Sequence, residues 1–209
     1  MVVPIITSYT YPQKLQKMCD HYTLNPDPDF HQRFGTHNRL PSFPKNIDVV
    51  PGLIEPVITH QEGLTLAWVM KWGLIPFWAK ERGVGSKMFS LKAESVITKL
   101  GFKKSFKSQR CLIPANGFYL SSHFISIVDR PLFSFAGIYD IWTEPVSGHE
   151  VYSYAIITVE STSAVKSFND QMPVILRQES EKTWLDPRTP EFKLESLLRS
   201  SSEILTINK

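Results

Sequence analysis

The sequence predicts a single α+β domain, rich in β-strand with short peripheral helices. Three observations carry that prediction. Stretches of strand composition outnumber the helical ones and do not alternate with them as βαβ units would. A chain of 209 residues, 42% hydrophobic and 21% charged, is long enough to bury a substantial core and too apolar to stay disordered. No internal repeat, low-complexity tract or Gly/Ser-rich linker divides it.

In chain order, the N-terminus has no lysine or arginine before Lys14, and Pro4 and Pro12 interrupt its apolar stretch, so no secretory signal is expected. Residues 23–62 hold Pro26, Pro28, Pro41, Pro44, Pro51 and Pro56, which predicts extended segments joined by turns, with a short helix over Asp29–Phe34. Leu64, Leu66, Trp68 and Met70 alternate with Thr65, Ala67, Val69 and Lys71, the pattern of a strand with one stronger apolar face. The most apolar window, Leu64 to Ala79, carries Lys71 and Pro76 and falls short of the ~20 residues that span a bilayer.

A helix is predicted over Ala93–Leu100, followed by Phe102–Ser108, which is too basic to be buried throughout. Arg110–Ala115, His123–Val128, Leu132–Tyr139 and Val151–Val159 read as strands, with a turn at Asp129-Arg130-Pro131. Short helices fit Ser161–Phe168, Glu179–Leu185 and Pro190–Arg199, the last with Phe192, Leu194, Leu197 and Leu198 as its buried face.

Two cysteines supply neither a disulfide framework nor a four-cysteine zinc site, and the six histidines show no ligand spacing. No metal or cofactor is expected. Cys19 and Cys111 read as reduced thiols of a soluble, cytoplasmic monomer, associated with the nucleoid in a bacterium. Cys111 lies in an apolar strand string and is assigned to the core; Cys19 is either a nucleophile or a small buried hydrophobe.

The net charge of +3 conceals an asymmetry. Between Lys71 and Arg110 ten basic residues face only Glu81 and Glu94, a net of +8, which leaves −5 for the rest of the chain. Trp72, Phe77, Trp78, Phe89, Phe102 and Phe106 interleave with these cations. Cations neutralise phosphates and exposed rings stack on unpaired bases, so the segment is a candidate single-stranded nucleic-acid surface. The same composition also fits a solvated basic face with its aromatics in the core.

Four strings stand out: M-C-D-H-Y-T from Met18, W-G-L-I-P-F-W-A-K from Trp72, R-C-L-I-P-A-N-G-F-Y from Arg110 and N-D-Q-M-P-V-I-L from Asn169, with F-A-G-I-Y-D-I-W from Phe135 between the last two. In order and spacing they resemble the SOS response-associated peptidase (SRAP) family, whose members process abasic sites in single-stranded DNA. The resemblance spans about residues 18–186. It implies a domain over 18–209 preceded by an extension of residues 1–17, and a positively charged channel for single-stranded DNA containing abasic sites. It also implies a mechanism in which an N-terminal cysteine forms a Schiff base with the abasic aldehyde and then closes a thiazolidine crosslink, assisted by an Asn, a Glu and a His. Lyase and self-peptidase activity belong to the same family chemistry, within the DNA damage response.

By this resemblance Cys19 is the nucleophile once it is N-terminal, while Ser90, Leu120 and Asn169 stand at the family's Asn, Glu and His positions. Lys92 stands where the family's phosphate-holding arginine does, and Gln171 replaces a second arginine. Asp20 and His21 replace the Gly-Arg that usually follows the cysteine. Trp72, Trp78, Lys87, Lys92, Lys103, Lys104 and Lys107 are the expected DNA contacts, although the two tryptophans also fit core and turn packing. Leucine moves no proton and asparagine hydrogen-bonds without titrating, so two proton-transfer positions are lost. Cys19 follows other residues and gains a free amine only by translation from Met18 or by cleavage before it. Three functions follow: an abasic-site crosslinker, a catalytically silent paralogue binding DNA or a partner without covalent chemistry, and a thiol peptidase, for which no Cys–His pair stands out.

Overall fold

The computed structural model describes residues 20–25, 29–40, 46–200 and 204–208. Cys19, and with it the expected extension of residues 1–17, lies outside the described residues.

Along the chain run β1 (Tyr22–Leu24), helix α1 (Phe30–Phe34), β2 (Asn46–Val49), β3 (Ile54–Gln61) and β4 (Leu64–Trp72). Next come β5 (Ser90–Lys92), α2 (Ala93–Thr98), α3 (Leu100–Ser108), β6 (Arg110–Ala115), β7 (Gly117–Leu120) and β8 (His123–Ile127). The last part holds β9 (Phe133–Thr143), β10 (Glu150–Glu160), β11 (Gln171–Pro173), β12 (Ile175–Leu176), α4 (Gln178–Leu185), α5 (Glu191–Leu197) and β13 (Leu205–Asn208). This is the β-rich α+β class that the sequence predicts.

Eight strands make one sheet in the order β11-β10-β4-β3-β6-β9-β12, with β5 added beside β10. Because β10 also pairs antiparallel with β9, the long strands β10, β4, β3, β6 and β9 close on themselves as a barrel. The smaller sheet runs β13-β8-β7-β1-β2. Its inward residues Tyr22, Phe118, Leu120 and Ile125 join Val57, Met70, Trp72, Ile113, Phe135 and Tyr154 of the barrel in one apolar cluster. A second cluster lies between the outer barrel face and the helices, where Leu112, Ala136, Ile138 and Ile157 meet Phe34, Val96, Phe102, Phe106 and Trp184.

Two covered faces explain why β6 is buried at every position, whereas β4 buries Met70 and Trp72 but leaves Val69 half-exposed. The β3–β4 hairpin closes through Glu62 (φ 50°) and Gly63 (φ 81°), the left-handed pair that matches strand twist. On α3, Phe102, Ser105 and Phe106 are buried while Lys103, Lys104 and Lys107 face out. Trp184 of α4 donates to the Cys111 carbonyl (3.0 Å) and Arg33 of α1 grips Glu181 of α4 through two bonds of 2.8 and 2.7 Å. Cys111 is fully buried, and burial pushes its thiol well above the ordinary range.

Two local expectations change. Ser161–Phe168 forms a succession of turns, not a helix: Val165, Lys166, Phe168 and Asn169 bond back three or four residues without a continuing ladder. A Ser-Thr-Ser start competes with the backbone for hydrogen bonds, and the segment must double back into β11 within ten residues. On α5, Leu194 and Leu198 are buried, but Phe192 is 75% exposed because the helix packs against α4 through its other side. No described helix is long and apolar enough to cross a membrane.

Candidate functional site

β1 delivers the chain from the site outward. Asp20, bonded to Cys19, lines a cleft of about 680 Å³ whose other walls come from the β2–β3 turn, the end of β4 and the loop before β5. Lys71, Arg82 and Lys87 line the same cleft. Asp20 is the only carboxylate on it among the described residues, and its Oδ1 takes a hydrogen bond from His21 Nδ1 (2.9 Å). That bond raises the His21 pKa; burial opposes the rise and the charges of Asp20 and Asp48 add to it. The cleft is therefore electropositive, which favours an anionic ligand and a thiolate beside it.

Two glycines let the cleft wall form. Gly73 sits at φ 119°, and a Cβ there would lie 2.6 Å from the Gly85 carbonyl oxygen; a Cβ on Gly85 would lie 2.8 Å from the Gly73 oxygen. The loop after β4 is tied to the barrel by side chains: Ile75 N donates to Ser153 Oγ (2.8 Å), Phe77 N to buried Asp140 (2.9 Å), and Trp142 Nε1 to the Ala79 carbonyl (2.7 Å).

That anchoring sorts the expected contacts. Trp72 is fully buried, lies parallel to Tyr154 and donates to the Phe89 carbonyl (2.8 Å), so it builds the cleft floor and has no open face for a base. Trp78 is 47% exposed and reaches the Gly101 carbonyl (3.2 Å); Phe77 is 51% exposed beneath the Lys104 ammonium, 4.9 Å from the ring centroid. Lys87 lies in the cleft, whereas exposed Lys92, Lys103, Lys104 and Lys107 lie on or beside the helices that follow it. Arg110 leaves the basic surface altogether: only 4% exposed, its guanidinium donates to the carbonyls of Trp184 (2.6 Å), Phe106 (2.6 Å) and Asp186 (2.8 Å). Burial lowers its pKa to about 10, still cationic at neutral pH. Lys71, Arg82 and Phe77 belong to the basic, aromatic segment read from sequence but were not among its expected DNA contacts, because spacing alone does not show which of its members converge.

Ser90 follows Phe89 of the cleft; it is 5% exposed, and its hydroxyl finds no partner among the described residues. Asn169 is 8% exposed; its Oδ1 accepts from Gln171 N (3.0 Å), and its Nδ2 is buried without a described partner. Leu120 is completely buried. Phe89, Leu120 and Val165 share one apolar cluster, so the segments bearing all three positions converge on the core that Tyr22 enters. Orphaned polar atoms are uncommon in native interiors, although Thr59, Ser105 and Gln109 carry them here as well. Among the described residues no three metal-binding side chains gather.

The sequence profile of the SOS response associated peptidase (SRAP) family matches residues 18–208. The chain belongs to this family. The abasic site processing protein YoqW of Bacillus subtilis is 34% identical over 196 residues, 87% of each chain. YoaM of the same organism, named likewise, is 40% identical over 140 residues, 62% of this chain and 61% of its own. HMCES of Xenopus tropicalis, also named an abasic site processing protein, is 31% identical over 147 residues, 56% of this chain and 44% of its own. A Bacteroides thetaiotaomicron protein of known structure superposes with a TM-score of 0.69 at 27% identity over 78% of both chains. A Bordetella bronchiseptica structure shares the fold, with a TM-score of 0.75 at 21% identity over 91% of this chain and 100% of the other. Among the substituted positions, Asp20 lines the cleft, whereas Ser90, Leu120 and Asn169 are buried outside its lining.

Proposed function

We propose that this SRAP protein processes abasic sites in single-stranded DNA, and that Cys19, when N-terminal, joins the abasic sugar through a thiazolidine. One observation carries the reading: the residue bonded to Cys19 lines an electropositive cleft whose walls bear Lys71, Arg82 and Lys87. Lys71, Arg82 and Lys87 would meet phosphates in the cleft, and exposed Trp78 and Phe77, on the loop after β4, would stack bases. Ser90 and Asn169 would hydrogen-bond the sugar, with Lys92 holding phosphate as a point charge rather than a bidentate fork.

The test compares the full chain with a form starting at Met18, each incubated with an abasic single-stranded oligonucleotide and resolved on denaturing gels. The expected result is a crosslink from the shorter form, abolished by Cys19→Ala. A second reading, non-covalent DNA binding by a silent paralogue, is favoured by fully buried Leu120 at the carboxylate position. It predicts salt-sensitive binding without any crosslink. Absence of binding from both forms overturns both readings.

A further inference from the structure

We infer that His123 is the proton-transfer group of this site, doing from the neighbouring strand what Leu120 and Asn169 cannot do at their own positions; the inference rests on the crosslinking reading above. His123 is the β8 residue directly opposite Leu120. On the other side of β7, β1 pairs Tyr22 with Phe118 and Thr23 with Gly117, and the bond from Tyr119 N to the His21 carbonyl (3.0 Å) carries that ladder onward. Continued in the same register, Asp20 falls opposite Leu120. One row thus runs from Asp20, two residues before β1, through Leu120 of β7 to His123 of β8. With strands about 4.8 Å apart, the His123 backbone lies about 10 Å from that of Asp20, which bears Cys19.

The row also has the right face. Directly opposed residues point the same way, and Phe118, Leu120, Ile125 and Tyr22 all enter the core cluster. His21, nearer to Cys19 in sequence, is on the other face, where its ring meets Tyr119 (6.3 Å between centroids) and its nitrogens face Asp20 and Asp48. His123 instead stacks on Phe168, centroids 3.9 Å apart and planes 16° from parallel. Phe168 immediately precedes Asn169 and is held to the β7–β8 turn by the bond from Ser121 Oγ to its carbonyl (2.9 Å). The stack fixes the ring, and its Nδ1 is buried with no partner among the described residues. A held imidazole with a free ring nitrogen, beside both altered positions and on the core-facing side, is the disposition of a general acid and base.

The chemistry balances without any oxidant or reductant. The Cys19 amine adds to the aldehyde carbon, with its proton passing to oxygen, to give a carbinolamine. The His123 imidazolium protonates the hydroxyl, the C–O bond breaks, the nitrogen lone pair forms C=N and water leaves. Neutral His123 then takes the thiol proton, which restores the imidazolium. The thiolate forms the C–S bond as the C=N pair returns to the iminium nitrogen.

The test measures crosslinking rate and binding of an intact oligonucleotide for the Met18 form and the full chain, as wild type, His123→Ala and His123→Gln. Both substitutions should slow crosslinking about 10²-fold or more with binding unchanged. Added imidazole should restore the rate of His123→Ala, which leaves a ring-sized slot against Phe168, and should not restore Cys19→Ala. Should His123→Ala fail to fold by thermal melting, His123→Gln still decides the rate comparison. A variant that crosslinks at the wild-type rate overturns the role of His123 and leaves the proposed function standing; so does a slow variant that ignores imidazole. A wild type that never crosslinks overturns both.

Discussion

Asp20 and His21 occupy the two positions after Cys19, and the carboxylate of the first bonds the imidazole of the second. Because the hydrogen bond to Asp20 raises the His21 pKa above its ordinary 6.5, the folded chain favours the imidazolium more than the unfolded chain does. The stabilisation is therefore fully present below pH 6.5 and is lost as pH rises through the raised folded value. His21→Gln should lower the melting temperature by roughly 1–3 °C at about pH 5.5, with the deficit fading by about pH 9 in parallel thermal scans. At this scale the sequence shows which groups are missing, since Leu120 and Asn169 are read directly against their strings. It does not show that Ser90, Asn169 and His123 keep buried polar atoms without partners among the described residues, because that depends on segments far apart in the chain.

Among the elements, the loop between β4 and β5 does most to shape the site. W-G-L-I-P-F-W stands out in sequence as one aromatic string, yet its members part company: Trp72 goes to the floor, Phe77 and Trp78 to the surface. The division follows from Ser153, Asp140 and Trp142, which belong to β9 and β10 and pull the loop backbone onto the barrel. Gly73 and Gly85 then cross at a distance that no side chain survives. Gly85→Ala should cost about 1–3 kcal/mol in denaturant unfolding and weaken DNA binding, because the displaced loop carries Lys87. Gly83→Ala, whose added methyl meets nothing within 4 Å, is the matched control and should change neither. Strand alternation made β4 legible and apolar composition made β6, β9 and β10 legible, whereas β1, β5, β11 and β12, at two or three residues each, are too short to show a period.

For the whole molecule, the excess of positive charge becomes a surface only through folding. Arg110 is drawn inside to bind carbonyls at the helix ends, while Lys71, Arg82 and Lys87, separated by up to sixteen positions, gather in one cleft. Lys87→Ala should reduce the slope of log affinity against log salt by about 0.7, the single-strand value for one phosphate contact, measured by fluorescence anisotropy on an intact oligonucleotide. Arg110→Ala should leave that slope unchanged and instead lower the melting temperature, since it strands buried carbonyl acceptors.

The sequence by itself determined the class of fold, the family and the altered positions, because strand composition, long apolar strings and residue identities are local properties of the chain. Only the tertiary structure decided which cations share a cleft, which tryptophan is buried, and that His123 lies in the row of Leu120 and Asp20. Those are consequences of strand register and barrel closure, where β-pairing brings together residues about a hundred positions apart and side-chain alternation then assigns each one its face.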